Sequence, residues 1–355
     1  MKSKNSHSGC LRFAFRWQVR GLLSLSMAIL FSLSSTAFPC SAVARRGLNK
    51  GVHLAANYDW RAHGGLVFLS PRGQQKFSKI PSHHPSDAGE FWLSRYASLT
   101  LSQFGRDYPM QGINERGLAG MVLVAPAKYP TIGKRGVITE NLWLQYQLDQ
   151  FSSIQEVAEH LDDFGIRKIS ADLHWFLCDS SGECATVEFS EGQRRIYRTT
   201  DDRLQVLTNS PALESWAWYH EWSQSGRELP VGYGSMARFT RLAWRASHEG
   251  VLDLTSALND VAQSGFTAWQ TIFDLKRREM LVRLAGDDWR QVSFNGLTLH
   301  CRQDLPMLNL AKQDWQPYKA SEVREILKSA TEGLAYDENQ RITSAVTSSE
   351  RVVCK

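Results

Sequence analysis

Apolar and polar positions alternate with a period of two through much of the N-terminal half of the chain. Val52-His53-Leu54-Ala55-Ala56 and Gly65-Leu66-Val67-Phe68-Leu69 read as strands joined by a polar turn, and 96–104, 110–113 and 118–124 add strands with glycine-containing turns. Between 139 and 164 the period changes. Leu142, Leu144, Tyr146, Leu148, Ile154, Val157, Ala158 and Leu161 fall at helical spacing, and Ser152-Ser153 supplies a break and a cap, which predicts two short helices. Strands resume at 174–176, 185–189, 195–197 and 204–207. Helical patterns follow at 214–222, 238–246 and 254–261, then a hairpin set over 269–294 and one helix near 320–330 in a more polar tail that wraps the surface. Runs of strands alternating with runs of helices, without strict βαβ units, predict an α+β fold of antiparallel sheets covered by helices.

The first forty residues follow another logic. Lys2, Lys4, Arg12, Arg16 and Arg20 stand without an acid before an apolar run over 22–33. A charged region followed by an apolar stretch of about a dozen residues, short of the roughly 20 that a membrane-spanning helix needs, reads as a removable export signal. The expected location is therefore exported, periplasmic or secreted. Removing this segment takes the formal charge from +5 to zero, so the basicity of the precursor points to no nucleic-acid or anionic-membrane partner. Three cleavage points stay open. A cut after Pro39 exposes Cys40; a cut after Ala37 leaves Phe38-Pro39 to be trimmed; a cut after Ala44, in Ala42-Val43-Ala44, fits the small-residue rule best and discards Cys40. The expected organisation is 1–39 as signal or propeptide, 40–315 as one domain, and 316–355 as a tail packed on it.

Six cysteines stand at 10, 40, 178, 184, 301 and 354. In an oxidising compartment pairing is expected. Cys178 and Cys184 flank the turn Asp179-Ser180-Ser181-Gly182-Glu183 between two apolar strands and face each other across a hairpin; Cys301 and Cys354 form a second bridge that ties down the tail. Cys40 is then the odd thiol, a candidate reactive group. Other chemistries are weakly represented: there is no His-Glu-x-x-His or Cys-x-x-Cys, Gly232-x-Gly234 lacks the strand that a dinucleotide site needs, and no Gly-x-Ser-x-Gly occurs. If processing ends at Pro39, Cys40 carries both a thiol nucleophile and a free amine to act as its base.

At this point the sequence resembles the choloylglycine hydrolase and penicillin V acylase group of N-terminal-nucleophile (Ntn) hydrolases, which cleave linear amide C–N bonds. Five segments carry the likeness: Cys40 with Asn57-Tyr58-Asp59-Trp60; Gly112-Ile113-Asn114-Glu115-Arg116-Gly117-Leu118; Trp175-Phe176-Leu177-Cys178-Asp179 through Gly182 to Val187-Glu188-Phe189; Leu207-Thr208-Asn209-Ser210-Pro211; and Gly234-Ser235 leading to Arg238-Phe239. The resemblance implies a four-layer αββα sandwich, with Cys40 as nucleophile, Asp59 holding its amine, the Asn209 side-chain amide and the Val124 backbone amide as oxyanion donors, and Arg238 organising the charges. It implies neither cofactor nor metal. Trp60, Tyr58 and Met110 are candidates to line an apolar substrate pocket. One position departs from the family pattern: where an arginine is expected three residues before the aspartate, this chain has Ala56.

The expected function is an exported N-terminal-cysteine amidohydrolase acting through an acyl-thioester on a small-molecule acyl amide of bile-salt, penicillin V or N-acyl homoserine lactone type. Two rivals stand beside it: an acyltransferase on the same scaffold, and a binding protein that kept the pocket and lost turnover. Homo-oligomer formation stays open.

Overall fold

The chain passes from Cys40 directly into a strand paired on both sides within a sheet. The structure, a computed structural model, describes residues 40–46, 51–78, 91–199, 205–312, 314–349 and 352–355, which lie in one compact unit; the expected export signal lies outside the described residues. In chain order the strands are β1 (Ser41–Arg46), β2 (Val52–Asp59), β3 (Leu66–Ser70), β4 (Gln74–Phe77), β5 (Phe91–Leu93), β6 (Ser98–Ser102), β7 (Gln111–Asn114), β8 (Ala119–Val124), β9 (Gly136–Thr139), β10 (Phe164–Arg167), β11 (Leu173–Cys178), β12 (Cys184–Ser190), β13 (Gln193–Thr199), β14 (Gln205–Leu207), β15 (Thr267–Asp274), β16 (Glu279–Leu284), β17 (Arg290–Ser293), β18 (Pro306–Asn309), β19 (Gln316–Pro317) and β20 (Val353–Cys354). The helices are α1 (Glu140–Gln150), α2 (Ile154–Glu159), α3 (Ala212–Gln224), α4 (Ser235–His248), α5 (Leu254–Val261), α6 (Ala320–Thr331) and α7 (Tyr336–Ser349).

Two antiparallel sheets stack face to face. One has the order β14-β1-β2-β15-β16-β17 and the other β13-β12-β11-β8-β7-β6-β3-β18-β19. Across their interface Trp269 Nε1 and Thr271 Oγ1 on β15 both donate to Gln111 Oε1 on β7, at 3.1 and 2.7 Å. The outer face of the first sheet is covered by α3, α4 and α5, whose Tyr219, Trp222, Phe239, Leu242 and Leu258 pack with Val43, Ala55, Val206 and Ile272. Each large apolar side chain so buried contributes about 1.5–3 kcal/mol. Helix α1 covers the second sheet at close range, because glycines line its path: a Cβ on Gly112 would stand 2.8 Å from Leu148 Cδ1, and one on Gly120 2.9 Å from Leu144 Cδ1. This is the α+β fold that the periodicity predicts, in the four-layer αββα arrangement that the resemblance implies.

Helices α1 and α2 break where Ser152-Ser153 predicted, with the Ser153 hydroxyl accepting from Glu156 N at 3.2 Å. Two features escaped the sequence. Strand β1 falls on Ala42-Val43-Ala44, the small-residue run read above as a peptidase pattern; these residues are buried in a strand paired on both sides, with β14 and β2. The tail holds two helices rather than one, and it adds edge strands to the sheets: β19 pairs with β18 at the edge of the second sheet, and β20 pairs with β4. Disulfides link Cys178 to Cys184 across the β11–β12 hairpin and Cys301 to Cys354 at the end of the tail.

Candidate active site

Strand pairing brings the first group together. The register Ser41↔Asn57 between β1 and β2 sets Cys40 beside Tyr58 and Asp59. Cys40 is 3% exposed and is the free cysteine of the described residues. Arg238, in the first turn of α4, is buried and reaches back to the same place: Nη1 donates to the Cys40 carbonyl at 2.5 Å and to Ser41 Oγ at 2.6 Å, and Nε donates to the Tyr233 carbonyl at 2.8 Å. Its Nη2 donates to Asn209 Oδ1 at 2.8 Å, and Asn209 Nδ2 donates to the Val124 carbonyl at 2.8 Å. A continuous chain of hydrogen bonds therefore runs from the backbone of Cys40 through Arg238 and Asn209 to the end of β8. Charged donors make the stronger links in such a chain.

Burial sets the electrostatics. The Cys40 thiol is pushed up to about 12, first by loss of water and then by the nearby Asp59 charge; the Asp59 backbone N–H and Arg238 pull the other way. Asp59 is fully buried and raised to about 7 by desolvation, against the Thr267 hydroxyl, which donates to Oδ1 at 2.5 Å, the Arg238 charge, and Gln263 Nε2, 3.4 Å from Oδ2. Arg238 itself falls to about 10 through desolvation, with Asp59 and Cys40 opposing the fall. With Cys40 in peptide linkage the thiol is thus protonated and quiescent. A cation introduced beside Cys40 would reverse the balance.

The Val124 amide has a defined direction. Val122 N donates to the Met110 carbonyl on the β7 side, and Ala125 N donates to Asp172 on the β11 side. Strand alternation points Val124 N–H toward the β7 side, just past the last β7–β8 pair at Gln111↔Met121. There a narrow, mainly apolar pocket opens onto Cys40. Tyr58, Trp60 and Met110 line it, as does Val124, together with Phe104, Tyr108, Leu173, Ile169, Leu334 and Ile342. Tyr58 stacks on Trp269 with ring centroids 4.0 Å apart, Trp60 meets Phe104 edge-on at 5.7 Å, and the Tyr58 hydroxyl is buried without a hydrogen-bond partner among the described residues.

A profile of the linear amide C–N hydrolases, choloylglycine hydrolase family, matches residues 53–245. The chain belongs to the choloylglycine hydrolase family. A penicillin V acylase of Pectobacterium atrosepticum is 31% identical over 180 residues, 44% of this chain and 47% of that protein, so the chain matches about half the length of this curated relative. Among solved structures, the penicillin V acylase of Agrobacterium tumefaciens superposes with a TM-score of 0.64 at 26% identity, covering 76% of this chain and 90% of that one. A mutant conjugated bile acid hydrolase of Clostridium perfringens gives 0.62 at 19% identity, over 79% and 96%, a likeness of fold.

Within the choloylglycine hydrolase frame, the motif residues divide into those at the thiol and those that hold them there. Asn114 is a turn residue: its Oδ1 accepts from Arg116 N and Leu118 N, and its Nδ2 donates to the carbonyls of Leu148 and Phe151, fastening α1 to β7. His174 and Glu188 clamp the segment that carries Asn209, through the Thr208 carbonyl at 2.7 Å and Ala212 N at 2.8 Å. Ser235 Oγ accepts from Asn209 N at 3.0 Å and so fixes that residue from the start of α4. Ser235, Thr267, Gln263, Phe104 and Tyr108 received no role from the sequence. Ser235 lay inside a quoted motif and was within reach of recognition; Thr267 and Gln263 meet Asp59 only through the β2–β15 pairing and the turn before β15. At Ala56, fully buried and paired with Ala42 and Thr271, there is no cation, which leaves Arg238 as the guanidinium in contact with Cys40.

Proposed function

We propose that the protein is an exported amidohydrolase whose processing makes Cys40 its first residue, and that it cleaves a linear acyl amide through an acyl-thioester. The observation that carries this reading is the buried free thiol of Cys40 at an apolar pocket, with Asp59 beside it and Arg238 linking its carbonyl to Asn209. Processing after residue 39 would release an α-amine with an ordinary pKa of about 7.7–8.0. Next to Asp59 that amine is held as ammonium, which favours the thiolate. The thiolate attacks the amide carbonyl, and the oxyanion is met by Val124 N–H and the Asn209 side-chain amide. The C–N bond breaks as the ammonium passes a proton to the leaving amine. Water, deprotonated by the now neutral α-amine, then hydrolyses the thioester.

The position of β1 supports this cut over one after Ala44. The latter would remove the partners of Val206 and Leu207, leaving β14 without its neighbour in the sheet. The reading is tested with a panel of acyl amides: hydrolysis detected as released amine, and abolished in Cys40→Ser, supports it. Release that persists in Cys40→Ser sinks it. Saturable binding by the unsubstituted protein with no amine released favours the binding-protein reading, for which Ala56 is the motivating residue.

A further inference from the structure

The acyl pocket is closed on one side by the tail. Leu334, Glu338 and Ile342, at the α6–α7 turn and on α7, line the same cavity as Cys40. The tail is fastened there at several points: Trp60 Nε1 donates to the Ala330 carbonyl at 2.8 Å, Arg341 Nε donates to the Ile169 carbonyl at 3.0 Å, and beyond α7 the chain is tied by the Cys301–Cys354 disulfide and the β20–β4 pairing. Gly333, at φ +76°, makes the turn that delivers Leu334 to the cavity.

Among these apolar neighbours Glu338 stands out. It is half-buried, and among the described residues no hydrogen bond or ion pair engages its carboxylate. An acid in the first turn of a helix is ordinarily explained by the helix dipole, and Asp337, exposed and one residue earlier, fills that role. Glu338 is the one that faces the pocket.

The geometry points to the tail as the specificity wall of the site: Glu338 refuses acyl arms that end in an anion and admits arms whose end is neutral or donates a hydrogen bond. The inference rests on the amidohydrolase reading for the placement of the acyl arm in this pocket. A ligand carboxylate within about 8 Å of Glu338, at an effective dielectric constant of about 30, is disfavoured about tenfold. Position 56 carries no cation to offset that repulsion, Arg238 is occupied with Cys40, Ser41, Tyr233 and Asn209, and Arg341, three residues on from Glu338, is an exposed side chain that donates to the Ile169 carbonyl.

The test is calorimetric binding to protein purified from cells expressing the full chain with Cys40→Ser, so that turnover plays no part. The ligands are N-methyl amides of one medium-length acyl arm ending in methyl, hydroxyl or carboxylate, with the corresponding N-acylglycine to place the charge on the amine side. The carboxylate-ended arm is expected to bind about tenfold more weakly than the methyl-ended one. Added Glu338→Gln should bring the two within about twofold, and Glu338→Lys should reverse their order. Equal binding of both arms, a ratio unchanged by Glu338→Gln, discrimination confined to the N-acylglycine, or no binding of any arm overturns the inference. The amidohydrolase reading fails separately: unsubstituted protein that binds the preferred amide with this selectivity but forms no thioester at Cys40 contradicts the enzyme and leaves the wall standing.

Discussion

Replacing Arg238 with methionine separates what the guanidinium does for stability from what it does for chemistry. Methionine keeps much of the volume and removes all four hydrogen bonds. Three of the orphaned acceptors, the Cys40 carbonyl, Ser41 Oγ and Asn209 Oδ1, are in the interior, and an unpaired buried acceptor costs about 1–3 kcal/mol, so the gross loss is about 3–9 kcal/mol. Two effects oppose it. Burial, partly opposed by the Asp59 and Cys40 charges, has already drawn the guanidinium from 12.5 to about 10, a net cost of about 3 kcal/mol that the substitution removes. Without Arg238 the Asp59 carboxyl rises further above 7, so at neutral pH it takes a proton instead of standing as an uncompensated charge. The expected net loss is about 2–4 kcal/mol, well short of the full sum. Activity should suffer more selectively. Asn209 loses the bond that orients its amide, and loss of one oxyanion donor costs about 2.7–4 kcal/mol in the transition state, a fall of about 10²- to 10³-fold in kcat with little change in KM. Urea unfolding and steady-state kinetics on the best amide of the panel measure the two quantities. A variant destabilised as expected but retaining kcat within a few-fold would refute the argument that Arg238 acts through Asn209.

Three further outcomes follow from particular contacts. In the chain whose Cys40 is still in peptide linkage, Asp59 is raised from 3.8 to about 7, so the folded state holds a proton that the unfolded state releases. Asp59 should therefore contribute a decline of about 4 kcal/mol as pH rises from about 4 through 7, beside that of the buried Asp149, raised to about 6, and Asp59→Asn should remove the Asp59 share of the slope in pH-dependent urea unfolding; an unchanged slope assigns it to other groups. The Cys301–Cys354 bridge spans a sequence separation of 53 against 6 for Cys178–Cys184, so chain entropy puts the loss on removing them at about 4 and about 2 kcal/mol, and thermal unfolding of Cys354→Ser and Cys184→Ser should rank them in that order. Gly112→Ala should cost about 1–3 kcal/mol, because its new Cβ would lie 2.8 Å from Leu148 Cδ1 and 3.0 Å from the Leu99 carbonyl; urea midpoints within error of the parent would mean that α1 shifts freely.

Much of the fold was legible because strands and helices write different periods. The alternation over 52–56 and 118–124, and the change of period at 139–164, correspond to β2, β8 and the α1–α2 pair. What failed to show was structure whose sequence cues have a second meaning. Ala42-Val43-Ala44 is small where β1 is buried on both faces, and small residues are also what a processing site asks for. The polar α7 carries few apolar residues, so its burial of Ile342 and Val346 and its place at the pocket depend on partners far along the chain. At the site, Cys40, Asp59, Asn209, Arg238, Val124, Tyr58, Trp60 and Met110 were named from spacing and resemblance, and the fold gathers the first five around one chain of contacts and the last three into one cavity. The residues that hold them, such as Glu140 accepting from the backbone of Ile169 and Ser170 on the pocket loop, are hidden because a buried carboxylate paired to backbone leaves no local pattern.

The central claim is that Cys40 becomes the N-terminal nucleophile, and acid-quenched peptide mass analysis of protein purified from cells expressing the full chain, after brief exposure to an acyl amide, tests it most directly. The account predicts an N-terminal peptide beginning at Cys40 and carrying the acyl group as a thioester. A chain that begins at Arg45, or one that begins at Cys40 and stays unacylated while amine is released, would contradict it.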